Sequence, residues 1–253
     1  MSEQKFTPGR VVWRELMTTD VKRARAFYSE LLGWKYEAYN MGPGMNYEMV
    51  KVGDKTIGGL WQLEPGNPGP AVWMSYVSVD DVDAVAKRAV ENGGKIAHGP
   101  SDIPNIGRFA VVADFAGAMI LPFKSLDGDP PMGMPAPGEF CWETLSTTDM
   151  ARAESFYEKV FGWKVMKNMD GIPVFSVDGT PQGMVGDLQK AENFPPNWMT
   201  YVVVDKIETM TERATKLGGS VLVPLIEIPK VGRIGLIADP MGAPLGLYQG
   251  LMG

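Results

Sequence analysis

Polar and apolar residues alternate over residues 11–16, which predicts a strand carrying Trp13, Glu15 and Met17 on one face and Arg14 and Leu16 on the other. Asp20 then stands where an N-cap belongs. Val21, Ala24, Phe27, Tyr28, Leu31 and Leu32 follow at helical spacing up to Gly33, so an amphipathic helix comes next. Short strands are expected at 46–52 and 58–63, divided by a Gly53-Asp54 turn. After the Pro/Gly-rich stretch EPGNPGP the series restarts: a strand at 72–79, a helix over 81–92 stopped by Gly93-Gly94, and strands at 95–98, 108–113 and 118–123.

The same pattern is then written a second time. WRELMTTDVKRARAFYSELLGWK from Trp13 and WETLSTTDMARAESFYEKVFGWK from Trp142 are identical at 12 of 23 positions. WMSYVSVDD from Trp73 returns as WMTYVVVDK from Trp198, and DIPNIGRFAVVADFAGA from Asp102 as EIPKVGRIGLIADPMGA from Glu227. A period of about half the chain means duplication of a whole domain, because solenoid units recur every ~20–50 residues. The expected domains are 8–124 and 139–250, with the Pro/Gly-rich segment 125–138 as linker.

Composition narrows the function classes. The 253 residues are long enough for two cores, and 45% hydrophobic with 21% charged residues is a globular composition. A formal charge of −6 without a Lys/Arg stripe gives nucleic acid or anionic lipid no electrostatic handle. The polar N-terminus and the lack of any run of ~20 apolar residues lead to the expectation of a soluble cytoplasmic protein with neither nucleic-acid nor membrane partners. Cys141, the sole cysteine, has no internal disulfide partner, and His98, the sole histidine, leaves no Ser/His/Asp or Cys/His constellation to assemble.

The ordered blocks, a strand followed by T/V-x-D, a helix with F-Y-x-x-x-x-G-W, then V-D-D, then G-R-x-x-x-x-x-D-x-x-G-A, resemble the vicinal oxygen chelate superfamily of glyoxalases, bleomycin resistance proteins and extradiol dioxygenases. The likeness spans roughly residues 8 to 250 and is nearest to tandem, two-domain glyoxalase-like proteins. It implies an α+β fold: four βαβββ modules forming two cupped mixed β-sheets, with helices outside and the ligand inside the cup. In metal-dependent members the ligands lie on the first, fifth and last strands, and the positions here are Trp13, Trp73 and Leu121 in one half and Trp142, Trp198 and Gly246 in the other. None is a metal ligand type, since indole and alkyl groups bring no suitable N, O or S donor. Neither a metal nor another cofactor is therefore expected.

If the tryptophans keep the inward orientation of those ligands, each cup has an aromatic lining suited to a flat or partly apolar molecule. The other reading is ordinary core packing. Met17, Met41, Met45, Met49 and Met119 would add an adaptable wall to the first cup. Glu15, whose counterpart is Thr144, is either a functional carboxylate, even a general base, or the partner of a basic residue such as Arg108 or Arg233. Those two arginines either position an anionic group of the ligand or fasten a loop to the sheet. The expected function is metal-free binding of a small apolar or aromatic molecule by a monomer or weak homodimer. The alternative is a lyase, isomerase or dioxygenase of the same superfamily, with Glu15 as base or with an unrecognised metal site.

Overall fold

Asp20 and Asp149 start the two repeated long helices in the same way. Each carboxylate accepts a hydrogen bond from the backbone N–H three residues on, at 2.9 Å from Arg23 and 3.0 Å from Arg152. The computed structural model describes residues 6–41, 46–64, 66, 69–131, 133–167, 173–177, 180–187 and 195–251. Helix α1 (Val21–Leu32) ends on Gly33 at φ 73°, and α3 (Met150–Phe161) on Gly162 at φ 75°, left-handed positions at which a side chain would be strained. Each buries one stripe: Ala24, Phe27, Tyr28 and Leu31 in α1, and Ala153, Phe156, Tyr157 and Val160 in α3. Helix α2 (Val82–Glu91) is capped by Asp81, whereas α4 (Ile207–Lys216) begins after Lys206 without a side-chain cap.

The strands of the first half are β1 (Val11–Thr18), β2 (Lys35–Asn40), β3 (Asn46–Val52), β4 (Lys55–Gln62), β5 (Val72–Ser78), β6 (Lys95–Ile103), β7 (Gly107–Ala113) and β8 (Met119–Ser125). They form one mixed sheet in the order β2-β3-β4-β1-β5-β8-β7-β6. The second half supplies β9 (Phe140–Thr147), β10 (Lys164–Lys167), β11 (Pro173–Val177), β12 (Thr180–Asp187), β13 (Asn197–Val203), β14 (Ser220–Ile228), β15 (Gly232–Ala238) and β16 (Pro244–Gly250), in the matching order β10-β11-β12-β9-β13-β16-β15-β14. β1 runs parallel to β4, and β5 parallel to β8, while the hairpin neighbours are antiparallel. This is the βαβββ module four times over. The sequence pattern had not singled out β2, a strand exposed along most of its length with no apolar face to betray it.

Packing does not follow the sequence halves as hydrogen bonding does. The chain divides into two compact units, one of Met1–Trp13, Ser75–Met132 and Glu143–Trp198, the other of Arg14–Met74, Gly133–Trp142 and Met199–Gly253. In the second unit the core joins Leu16, Phe27, Leu31 and Leu60 of the first module with Val202, Ile207, Ile237 and Leu247 of the fourth. In the other, Val77, Val85, Val112 and Ile120 meet Leu145, Phe156, Val160 and Phe175. Reciprocal indole hydrogen bonds accompany this exchange. Trp34 Nε1 donates to the carbonyl of Gly138 at 2.7 Å, and Trp163 Nε1 to that of Gly9 at 2.8 Å. Both indoles are wholly buried, the packing role their place after the helix-ending glycine suggests. Within 125–138, the described residues after Ser125 carry no helix or strand.

Candidate functional site

On β1 the wholly buried Leu16 and Thr18 point to the helix side, so Trp13, Glu15 and Met17 lie on the opposite, helix-distal face. On β5 the parity is reversed from the expected one. Trp73 packs on the helix side against Tyr28, Trp34 and Phe140, with ring centroids 5.7, 5.7 and 5.2 Å away. Its Nε1–H donates to Tyr28 Oη at 3.0 Å, and Tyr28 donates in turn to Asp239 Oδ2 at 3.2 Å. Asp239 Oδ1 accepts from the backbone N–H of Met241 and Ala243 at 2.8 and 2.9 Å. The other unit repeats the chain: Trp198 donates to Tyr157 at 2.7 Å, Tyr157 to Asp114 at 3.1 Å, and Asp114 Oδ1 accepts from the N–H of Ala116, Gly117 and Ala118. Trp73 and Trp198 are therefore core residues rather than lining of a ligand face. The D-x-x-G-A blocks are the polar anchors that satisfy a buried indole and a buried phenol. Burial pushes both phenols well above their ordinary pKa, Asp239 and Asp114 reinforcing the effect, and burial likewise raises the Asp239 carboxyl against the opposing hydrogen bonds from Ala243 and Met241.

Arg108 and Arg233 lie on the helix side as well. Arg108 binds Asp83 of α2 at 2.7 and 2.9 Å and Asp102 of β6 at 2.8 Å. Arg233 binds Glu208 of α4 and pairs with Glu227 at 3.8 Å. Their guanidinium groups hold Asp83 and Glu208 below the usual carboxylate range. Of the two roles expected of them, this geometry is that of fastening: they tie a helix and an edge strand to the sheet, and the carboxylates they bind are not Glu15.

The helix-distal face of the first module gathers side chains that the sequence pattern had not joined. Glu15, 9% exposed, pairs across the strands with Gly59, and Met17 with Trp61. Gly59 has no side chain for a steric reason: a Cβ there would lie 1.9 Å from Tyr47 Oη and 2.2 Å from its Cζ. Tyr47, 8% exposed, thus lays its ring over the backbone next to Glu15, with the half-buried Trp61 at 6.3 Å. Met49, paired with Gly59 from the other side, completes the patch. Met45 falls outside the described residues.

In the second module Tyr76 pairs with the buried Leu121 and meets Phe123 edge-on at 5.6 Å, while the exposed His98 stacks on Phe109 at 5.4 Å. In the fourth, the ring of Tyr201 fills the space above Gly246, where a Cβ would approach Tyr201 Cδ1 to 2.2 Å. Gly246→Ala should therefore cost about 1–3 kcal/mol by overpacking. In urea denaturation its effect should be less than additive with Tyr201→Ala, which opens the space. Trp142 Nε1 is buried without a hydrogen-bond partner among the described residues, and Thr144 shares that face of β9. Cys141, on the opposite face from Trp142, directs Sγ to the carbonyl of Tyr201 at 3.5 Å.

These positions do not suit the metal that the fold family implies. Leu121 and Gly246 stand where the acidic ligand would be, and Tyr201 already occupies the room beside Gly246. Trp13 and Trp142 bring no donor, and Trp73 and Trp198 are turned into the cores. Among the described residues no three His, Cys, Asp or Glu side chains converge on a common point. No helix among them is long and apolar enough to cross a membrane.

With repeated βαβββ modules and these helix-distal faces in place, the chain belongs to the Glyoxalase/Bleomycin resistance protein/Dioxygenase superfamily, whose family model matches residues 10–121 and 142–247. It is 29% identical to a Mycobacterium bovis protein named "Putative glyoxylase CFP32", over 94% of each chain. It is equally 29% identical to the anthracycline biosynthesis protein DnrV of Streptomyces peucetius, over 97% of this chain and 94% of that one. The Mn(II)-bound glyoxalase from Novosphingobium aromaticivorans shares the fold, with a TM-score of 0.63 at 14% identity over 97% of this chain and 83% of that one.

Proposed function

We propose that this chain binds a small, flat, apolar or aromatic molecule without a metal, on the helix-distal face formed by β1, β3 and β4. The observation that carries this reading is the absent Cβ of Gly59, which makes room for the Tyr47 ring over the strand, 6.3 Å from Trp61, with Met17 and Met49 at the paired register positions. Aromatic rings give large contact area at small entropic cost, and thioethers adapt to the outline of a ligand. A relative named for anthracycline biosynthesis is in keeping with an aromatic ligand.

Titration with 9-anthracenemethanol, followed by tryptophan quenching, tests the reading. Saturable binding is expected, and Trp61→Ala should weaken it about tenfold, the equivalent of roughly 1.4 kcal/mol of lost ring contact. Elemental analysis of protein purified without chelator should find no stoichiometric Zn, Mn, Fe or Ni. Unchanged affinity in Trp61→Ala removes this face, and stoichiometric metal overturns the metal-free reading. One feature favours an enzymatic alternative, the register of Glu15 with Gly59, over which the Tyr47 phenol lies. That alternative gains if Glu15→Gln abolishes a turnover while leaving affinity intact.

A further inference from the structure

One row of side chains across the second module differs from its repeat in a directed way. Ser78 of β5 stands opposite Phe123 of β8, Phe123 opposite Phe109 of β7, and Phe109 opposite Ser101 of β6, so the four share one face of the sheet. They alternate with Val77, Ala110, Val112 and Ile120 of the core, which makes that face the helix-distal one. Tyr76, two residues before Ser78, sets its ring 5.6 Å from Phe123 and 6.3 Å from Phe109, and His98 stacks on Phe109 at 5.4 Å. In the fourth module the same row reads Val203, Tyr248, Ile234 and Ile226. A hydroxyl at each end of the row belongs to the first copy alone.

Ser78 is 1% exposed, and its Oγ has no hydrogen-bond partner among the described residues. A buried hydroxyl left unsatisfied is unfavourable, and the valine of the repeat shows that this register position does not require one. We infer that the row is a second binding face, in the other compact unit and sharing no residue with the face proposed above, and that it takes an elongated flat molecule carrying an oxygen at each end. Ser78 and Ser101 hydrogen-bond the two oxygens, and the rings of Tyr76, Phe109 and Phe123 carry the body between them. Three strand spacings of about 4.8 Å separate the two serine positions by about 14 Å along the sheet, and a hydrogen bond of about 2.8 Å at each end leaves about 9 Å between the ligand's oxygens. Two linked aromatic rings with oxygens at their far ends fill that span.

Three biphenyls test this by isothermal titration calorimetry: the 4,4′-diol, with its oxygens at opposite ends, 4-hydroxybiphenyl, with one oxygen, and the 2,2′-diol, whose two oxygens lie together. The native chain should bind the 4,4′-diol at least about fivefold tighter than either of the others, the effect of a second hydrogen bond to a group otherwise unsatisfied. Ser78→Ala and Ser101→Ala should each lose that preference. A smaller preference in the native chain, a preference that survives either substitution, or no binding of the 4,4′-diol overturns the inference; water alone on Ser78 would give the first of these results. If Ser78→Ala does not fold, the half-buried Ser101 is read by the same criteria through Ser101→Ala. The binding reading above, tested with another probe and through Trp61, stands or falls separately.

Discussion

Replacing Asp239 with Ala is expected to remove about 3–5 kcal/mol of stability, measured by urea denaturation. The carboxylate is 3% exposed and takes hydrogen bonds from two backbone N–H groups and from the Tyr28 hydroxyl. Each donor left buried without an acceptor costs about 1–3 kcal/mol, and the loss of an anionic acceptor lies toward the upper end. Trp73 then hydrogen-bonds to a phenol that has itself lost its acceptor, so the defect extends into the aromatic cluster. Asp114→Ala should have a similar effect in the other unit, because Tyr157 and Trp198 repeat the arrangement around it. A loss under 1 kcal/mol at either position would mean that water replaces the carboxylate and that the chain of hydrogen bonds is not the anchor described.

The second large effect is alkaline. Tyr28 and Tyr157 are raised well above their ordinary value of 10.0, first by burial and then by the neighbouring Asp239 and Asp114. Above pH 10 the unfolded chain gives up these protons and the native one keeps them. The native state then holds more protons, so stability falls as pH rises. Their contribution is complete below pH 10 and is lost from there toward the folded pKa. Each phenol adds a slope of about 1.4 kcal/mol per pH unit, and the pair about 2.7. The Tyr28→Phe/Tyr157→Phe variant should start less stable at neutral pH, with its buried indole and carboxylate partners disturbed, yet decline less steeply above pH 10. Parallel curves for the two proteins between pH 10 and 11.5 would contradict the assignment.

The repeat, the helices with their aspartate caps and glycine stops, and the module order were legible in the sequence because each is local and each is written twice. Strand β1 disclosed its faces for a similar reason: one of its sides is half-buried, and alternation survives. Strand β5 disclosed nothing, since six of its seven residues are buried, Ser75 and Ser78 included, and a strand buried on both faces shows no alternation. Placing Trp73 at the inward ligand position because it opens the fifth strand therefore gave it the cup face, whereas it packs against Tyr28, the outcome of the core-packing reading. A signal was available in the glycines. Gly59 and Gly246 interrupt strands where no turn is needed, which marks a close approach, here by the rings of Tyr47 and Tyr201. No single-copy pattern reveals which module packs against which, because both copies present nearly the same apolar stripes.

The exchange of core partners between the copies has a genetic corollary. A recombination event between the two repeats that deleted one of them would leave a chain with a complete eight-stranded sheet but only half of each core. In a product that keeps the first copy, the Trp34 indole would then need the Gly9 carbonyl of a different molecule in place of Gly138, and Tyr28 another molecule's Asp114 in place of Asp239. Such a deletion product would be a dimer or nothing. In the intact gene, substitutions in the α1 stripe are answerable to residues more than 170 positions away, among them Ile207, Ile237 and Leu247, whereas the helix-distal sides of the two copies differ where Glu15 stands opposite Thr144 in the repeat.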